Sequence, residues 1–138
     1  MYKKIGLLIL VVALNACSSI KEIKDKPIVF NDERMSLTKE YMEQRYKLTP
    51  DAPTIVPKMI VLHWTAIPTL EGSFRAFEKP TLPNWRPEIK GVSGLNVSTQ
   101  FLIDRDGTIY RLMDETTMAR HVIGLNHCAI GVENVGGT

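Results

Sequence analysis

The pattern of apolar and polar positions changes character several times along the chain, and each change marks an element. Residues 59–62 form a continuous apolar run between Pro57 and Pro68 that passes straight into His63. A run of that length bounded by turn residues predicts a buried central strand with His63 at its C-terminal edge. Upstream, Leu37, Tyr41 and Leu48 share a helical face with Met42 and Tyr46 beside it. That spacing predicts a helix over residues 32–47, capped by Ser36 and ended by Pro50 and Pro53. Downstream, Leu70, Phe74 and Phe77 recur at i, i+4 and i+7 behind Thr69, a capping residue, and Pro80 stops this second helix. Val97, Thr99, Phe101 and Ile103 alternate with Ser98, Gln100 and Leu102. A turn signal, Asp104-Arg105-Asp106-Gly107, follows, and residues 108–113 resume as a strand, so a β-hairpin is expected. Residues 117–126 are irregular and hold His121. Residues 128–135 are too apolar for an exposed edge and predict a second buried strand, with Glu133 near its end.

The remaining stretches follow no such period. Lys3 and Lys4 precede an apolar segment over residues 5–14, too short to span a bilayer, which ends in Leu14-Asn15-Ala16-Cys17. Residues 1–17 therefore read as a targeting segment. Its end looks like a bacterial lipoprotein box, with Cys17 lipidated; the other reading is a cleaved signal with an incidental cysteine. Residues 18–34 read as a tether and residues 35–138 as the domain. Residues 79–96 contain Pro80, Pro83, Pro87, Gly91 and Gly94, and a loop of this length is often functional. Trp85 in its middle is either an aromatic platform on a substrate-contacting flap or a side chain folded back onto the core.

Composition narrows the function classes. The chain has 138 residues, enough for one domain. Its 2 cysteines make no disulfide framework. The formal charge is +2, and loss of Lys3 and Lys4 with residues 1–16 leaves the chain neutral, which gives no electrostatic case for nucleic acid. There is no glycine-rich phosphate loop and no Gly-x-Ser-x-Gly elbow.

Candidate chemistry sits where the strands end. A histidine there either caps the strand with a hydrogen bond or offers one ring nitrogen to a metal and the other to a supporting partner. A carboxylate emerging from apolar surroundings suits general acid/base work. Read in order, Ile60-Val61-Leu62-His63-Trp64-Thr65, the hairpin segment from Val97 to Gly107, Ala119-Arg120-His121 and Asn126-His127-Cys128-Ala129-Ile130-Gly131-Val132-Glu133 resemble the type 2 N-acetylmuramoyl-L-alanine amidases, the zinc amidase and peptidoglycan-recognition family. The resemblance spans residues 55–138.

The resemblance implies an α/β fold with a mixed central β-sheet flanked by helices. It implies hydrolysis of the amide that joins the lactyl group of N-acetylmuramic acid to L-alanine in peptidoglycan. His63 matches the first Zn2+ ligand, Glu133 the catalytic acid/base, and His121 a histidine beside the site that contacts substrate. Two further ligands, a histidine and an aspartate or cysteine, and a basic residue are expected beyond Thr138. The chain is accordingly read as the N-terminal part of a longer protein, incomplete at its C-terminus and inactive alone. Gln100 and Thr99 stand where the family often has histidine and, in one branch, tyrosine; these departures bear on substrate contacts rather than on the fold. The expected partners are peptidoglycan or muropeptides and a membrane holding the Cys17 lipid, with no nucleic acid. Ser18 after Cys17 points to the outer membrane, facing the periplasm. Three other readings stand beside this one: a non-catalytic peptidoglycan-binding lipoprotein, a self-contained metal site built from His63, His121 and His127 with or without Cys128, and a purely structural lipoprotein in which the pairing of His63 and Glu133 is coincidence.

Overall fold

A computed structural model describes residues 22–137; the targeting segment and Cys17 lie outside the described residues. Five strands and two helices occur in the order β1 (Ile23–Asp25), α1 (Asp32–Tyr46), β2 (Met59–Trp64), α2 (Leu70–Glu78), β3 (Phe101–Ile103), β4 (Ile109–Arg111) and β5 (Ala129–Asn134). The sheet runs β1-β4-β3-β5-β2. Only β3 and β4 pair antiparallel; β1 with β4, β3 with β5 and β2 with β5 are parallel. This is the mixed α/β sheet flanked by helices that the family resemblance implies.

The β3–β4 hairpin forms because Gly107 accepts a left-handed backbone, φ 80, that closes the turn. Its N–H donates to Asp104 O at 2.8 Å, and Asp104 N–H donates to Thr108 O at 2.9 Å. Residues 97–100 do not extend the strand as their alternation suggests; Ser98, Thr99 and Gln100 are buried and turn their side chains to other work. Helix α2 starts as expected, with Gly72 N–H donating to the Thr69 hydroxyl at 3.2 Å.

Helix α1 begins earlier than its predicted cap. Asn31, not Ser36, is the N-cap, its Oδ1 accepting from Arg34 N–H at 3.0 Å, and Asp32 and Glu33 fill the acidic first turn. Nor do the prolines end it. Lys47 turns left-handed, φ 59, and Lys47 and Leu48 return their N–H groups to Glu43 and Met42 carbonyls.

Residues paired in register share a face of the sheet. Val61, His63, Gly131, Glu133, Leu102 and Tyr110 lie on one face. That face carries the core: Leu102 packs with Ile28, Phe77, Leu112, Met113, Ala119 and Val135, and Phe74 and Leu70 of α2 close over it. A second cluster joins α1 to the loops through Tyr41, Met42, Ile55, Leu95 and Met118. Arg34 of α1, fully buried, stitches the helices together. Its Nη2 donates to the Phe77 and Glu78 carbonyls at the end of α2, and its Nε donates to Val29 O. Burial pushes its pKa down to about 10.

Two expectations are corrected. Among the described residues β2 lies at the edge of the sheet rather than at its buried centre. It pairs with β5 alone, and Ile60, Leu62 and Trp64 on the opposite face are 64%, 71% and 65% exposed. Apolar content marks a strand but does not count its neighbours. The expected tether over residues 18–34 is also in part structured: residues 23–25 form β1, Ile28 enters the core at 4% exposure, and α1 begins at Asp32. A three-residue strand is too short to announce itself by periodicity.

Candidate active site at the ends of two parallel strands

β2 and β5 are parallel, so both strands deliver their last residues to the same edge of the sheet. His63 and Glu133 are register partners there, each one residue before its strand ends. Asn134 ties the pair together, its Nδ2 donating to His63 O at 3.0 Å. In open α/β sheets this edge is where ligands sit.

Glu133 is a carboxyl in the wrong solvent. Its Oε2 is buried without a hydrogen-bond partner, and burial pushes its pKa up to about 7. At neutral pH it can therefore both take and release a proton. The His63 imidazole is half-buried, and desolvation lowers its pKa, which favours the neutral ring. A neutral imidazole is the form that binds metal.

His121 comes to the same place from the irregular segment before β5. Its Nδ1 lies 3.0 Å from His63 Nε2, and its Nε2 lies 3.3 Å from Ala129 O. Burial pushes its pKa down to about 4, with the neighbouring His63 a smaller cause in the same direction. The ring lies over Gly131: a Cβ built there would come within 2.7 Å of His121 Cγ. Asn126 fixes the backbone beneath it, its Oδ1 accepting from the N–H groups of His121 at 2.9 Å and Val122 at 2.7 Å. Gln100 does the same for β5, its Oε1 accepting from Gly131 N–H at 2.7 Å while its Nε2 donates to Thr117 O.

Trp85 is 73% exposed, so it does not fold back onto the core. It lines a cleft of about 650 Å³ with Arg75, Lys79, Asn84 and Asn96, separate from the smaller cavity of about 160 Å³ that His121 lines with Arg86, Ile89 and Val122. Buried Arg120, next to His121, pins the long loop by donating to the carbonyls of Ile89, Ser93 and Leu95. His63, His121 and Glu133 thus stand together, and Trp85 stands on the neighbouring loop.

The self-contained metal site does not form. The His127 ring lies tilted against Tyr46, ring centroids 4.7 Å apart, and among the described residues no three His, Cys, Asp or Glu side chains are grouped to hold a metal. His127 and Cys128 are consecutive and cannot both turn to His63. Beside the unpartnered Glu133 carboxyl, the His63 imidazole is a donor of the type a zinc ion takes.

Sequence reasoning gives Asn126 and Arg120 no role of their own, and it offers Gln100 as a departure bearing on substrate contacts, whereas the Gln100 amide is spent on Gly131 N–H and Thr117 O. Gly131 was detectable, because an isolated glycine inside a strand signals a close approach.

The profile of the N-acetylmuramoyl-L-alanine amidase family (Amidase_2) matches residues 41–138. Among solved structures, the chain is similar to the N-acetylmuramoyl-L-alanine amidase LysC from Clostridium intestinale, with 24% identity over 85% of this chain and 60% of that one, TM-score 0.48. It is also similar to a mutant endolysin from Bacillus subtilis, with 18% identity over 86% of this chain and 63% of that one, TM-score 0.49. The chain thus spans less than two thirds of the length of these structures. No curated protein matches. With its family profile covering well over half of its length, the chain belongs to the N-acetylmuramoyl-L-alanine amidase family.

Proposed function

We propose that the protein is a zinc-dependent amidase that cleaves the bond between the lactyl group of N-acetylmuramic acid and L-alanine in peptidoglycan or muropeptides. The observation that carries this reading is the pairing of His63 with Glu133, whose Oε2 is buried and unpartnered at the edge where two parallel strands end. His63 is the chain's own zinc ligand. A catalytic zinc takes three protein ligands, and among the described residues no three such side chains are grouped. Bound zinc would supply Lewis acidity towards the scissile carbonyl and the attacking water.

Glu133 Oε2 takes a proton from the attacking water as its oxygen bonds to the amide carbon. The same carboxyl then returns that proton to the departing L-alanine nitrogen as the C–N bond breaks. A pKa near 7 serves both steps. His121 is assigned beside the site, and Trp85 is assigned as a platform for the substrate's flat or sugar surfaces.

The test is release of L-alanyl peptide from a soluble muropeptide by the zinc-loaded full-length protein. His63→Ala is expected to abolish release and to weaken zinc binding measured by equilibrium dialysis. Release that survives His63→Ala refutes the assignment, and muropeptide binding without release favours a non-catalytic binding lipoprotein. We further assign Cys17 as a lipid attachment point on the periplasmic side of the outer membrane, since more than one acyl chain gives stable anchoring. Cys17→Ser should move the protein out of the membrane fraction, and unchanged partition would refute the anchor.

A further inference from the structure

The contacts around His121 specify where two protons sit. Ala129 O can only accept a hydrogen bond, so the 3.3 Å contact requires His121 to carry its proton on Nε2. A neutral imidazole with a proton on Nε2 has a bare lone pair on Nδ1. The 3.0 Å contact between that nitrogen and His63 Nε2 needs one proton, and only His63 can supply it. Above pH 7 ordinary imidazoles are neutral, so no titration enters the deduction. A directional chain results: His63 Nε2–H donates to His121 Nδ1, and His121 Nε2–H donates to Ala129 O.

The surroundings hold this chain rigid. The N–H groups of His121 and Val122 are bound to Asn126 Oδ1, and Asn126 Nδ2 donates to the Tyr41 hydroxyl in the second core cluster. The His121 ring lies so close to Gly131 that even a methyl group would not fit between them. The chain ends on Ala129, which is fully buried on β5, the strand that also carries Glu133.

We infer that His121 is a positioning residue that locks His63 in its Nε2–H tautomer, so that Nδ1 is the nitrogen His63 presents to a metal. This rests on the reading of His63 as a zinc ligand. A ligand imidazole that donates its other N–H is oriented and made more basic, and loss of the acceptor typically costs about 10- to 100-fold in metal affinity. The arrangement also references ligand and base to one strand, because His63 is tied to β5 through His121 and Glu133 belongs to β5 itself.

The experiment uses full-length protein labelled with 15N-histidine at pH 8, read by long-range proton–nitrogen correlation with and without zinc. The expected result is a protonated Nε2 on both His63 and His121, and a zinc-induced shift confined to Nδ1 of His63. His121→Ala should release His63 into a tautomer mixture and weaken zinc about 10- to 100-fold. His121→Asn sets an oxygen where Nδ1 stood and should restore both, a rescue that a merely structural role would not produce. A protonated Nδ1 on His63 overturns the proposal, as does a His121→Ala variant with unchanged tautomer and unchanged zinc affinity. Zinc that shifts Nε2 instead of Nδ1 overturns it too. Zinc that shifts neither nitrogen refutes His63 as a ligand, while a preserved Nε2–H state supports the tautomer lock.

Discussion

Glu133→Gln is expected to lower peptide release by about a hundredfold to ten-thousandfold, the usual worth of general acid/base catalysis, and to make the protein more stable above pH 7. The two effects have one cause. The carboxyl sits in apolar surroundings with one oxygen unpartnered, so its ionised form is disfavoured in the folded state and its pKa rises to about 7 from an ordinary 4.5. A raised carboxyl pKa contributes stability that is fully present below about 4.5 and is lost as pH rises through about 7. Glutamine is neutral at every pH and removes that loss. His121 has the opposite sign: its pKa falls to about 4 from 6.5, so its contribution is present above 6.5 and is lost as pH falls towards 4. In the parent the two slopes oppose each other between about pH 4.5 and 6.5; in the glutamine variant only the acid loss remains. Melting temperatures from pH 4 to 9 check this. Curves for parent and variant that run parallel between pH 4.5 and 7 would show that Glu133 is not desolvated, and near-normal turnover would show that another group moves the proton.

Gly131→Ala is expected to destabilise the fold by roughly 1–3 kcal/mol, as overpacking in a tight interior does, and to break the His63–His121 contact. The new Cβ would lie 2.7 Å from His121 Cγ and 2.8 Å from Thr99 Oγ1. Neither neighbour can yield cheaply. Thr99 is fully buried, and Asn126 holds the backbone of His121. Two other glycines differ in kind. At Gly136 the obstacle is the Trp64 indole, which is largely exposed and can swing away. At Gly91 an added Cβ meets nothing within 4 Å, so Gly91→Ala serves as the control, with an expected change within about 0.5 kcal/mol. Urea unfolding of the three proteins separates these outcomes. A Gly131→Ala protein as stable as the Gly91→Ala one would mean that the His121 ring does not lie against β5.

How much of this was legible in the sequence depends on the range of the signal. The hairpin was readable because its turn chemistry is local, and α2 because Thr69 and Pro80 bracket a short helical period. The positions of His63 and Glu133 were readable because an apolar run that stops at a polar residue marks a strand end. Their pairing was not, since register between β2 and β5 is decided by contacts between distant segments. The edge position of β2 was misread for the same reason. The supporting roles of Asn126 and Gln100 were not legible, because a buried amide that replaces a backbone partner looks, in sequence, like any polar residue of a loop; Gln100 stood out only as a departure at a position tied to substrate contacts. The tautomer chain could not have been read at all, for it depends on which ring nitrogen meets a carbonyl.

The sheet order also sets a schedule for synthesis. Among the described residues β2 has a single neighbour, β5, and Met59 pairs with Ala129, seventy positions later in the chain. At about 5–20 residues per second, translation leaves β2 without its partner for roughly 4–14 s. Ile60, Leu62 and Trp64 spend that interval as an unpaired apolar strand, while the β3–β4 hairpin, whose two halves are made nearly together, can close at once. The nascent chain thus has a window in which holdase chaperones would find β2 before β5 does, and the strand that carries His63 is among the last to be laid into the sheet.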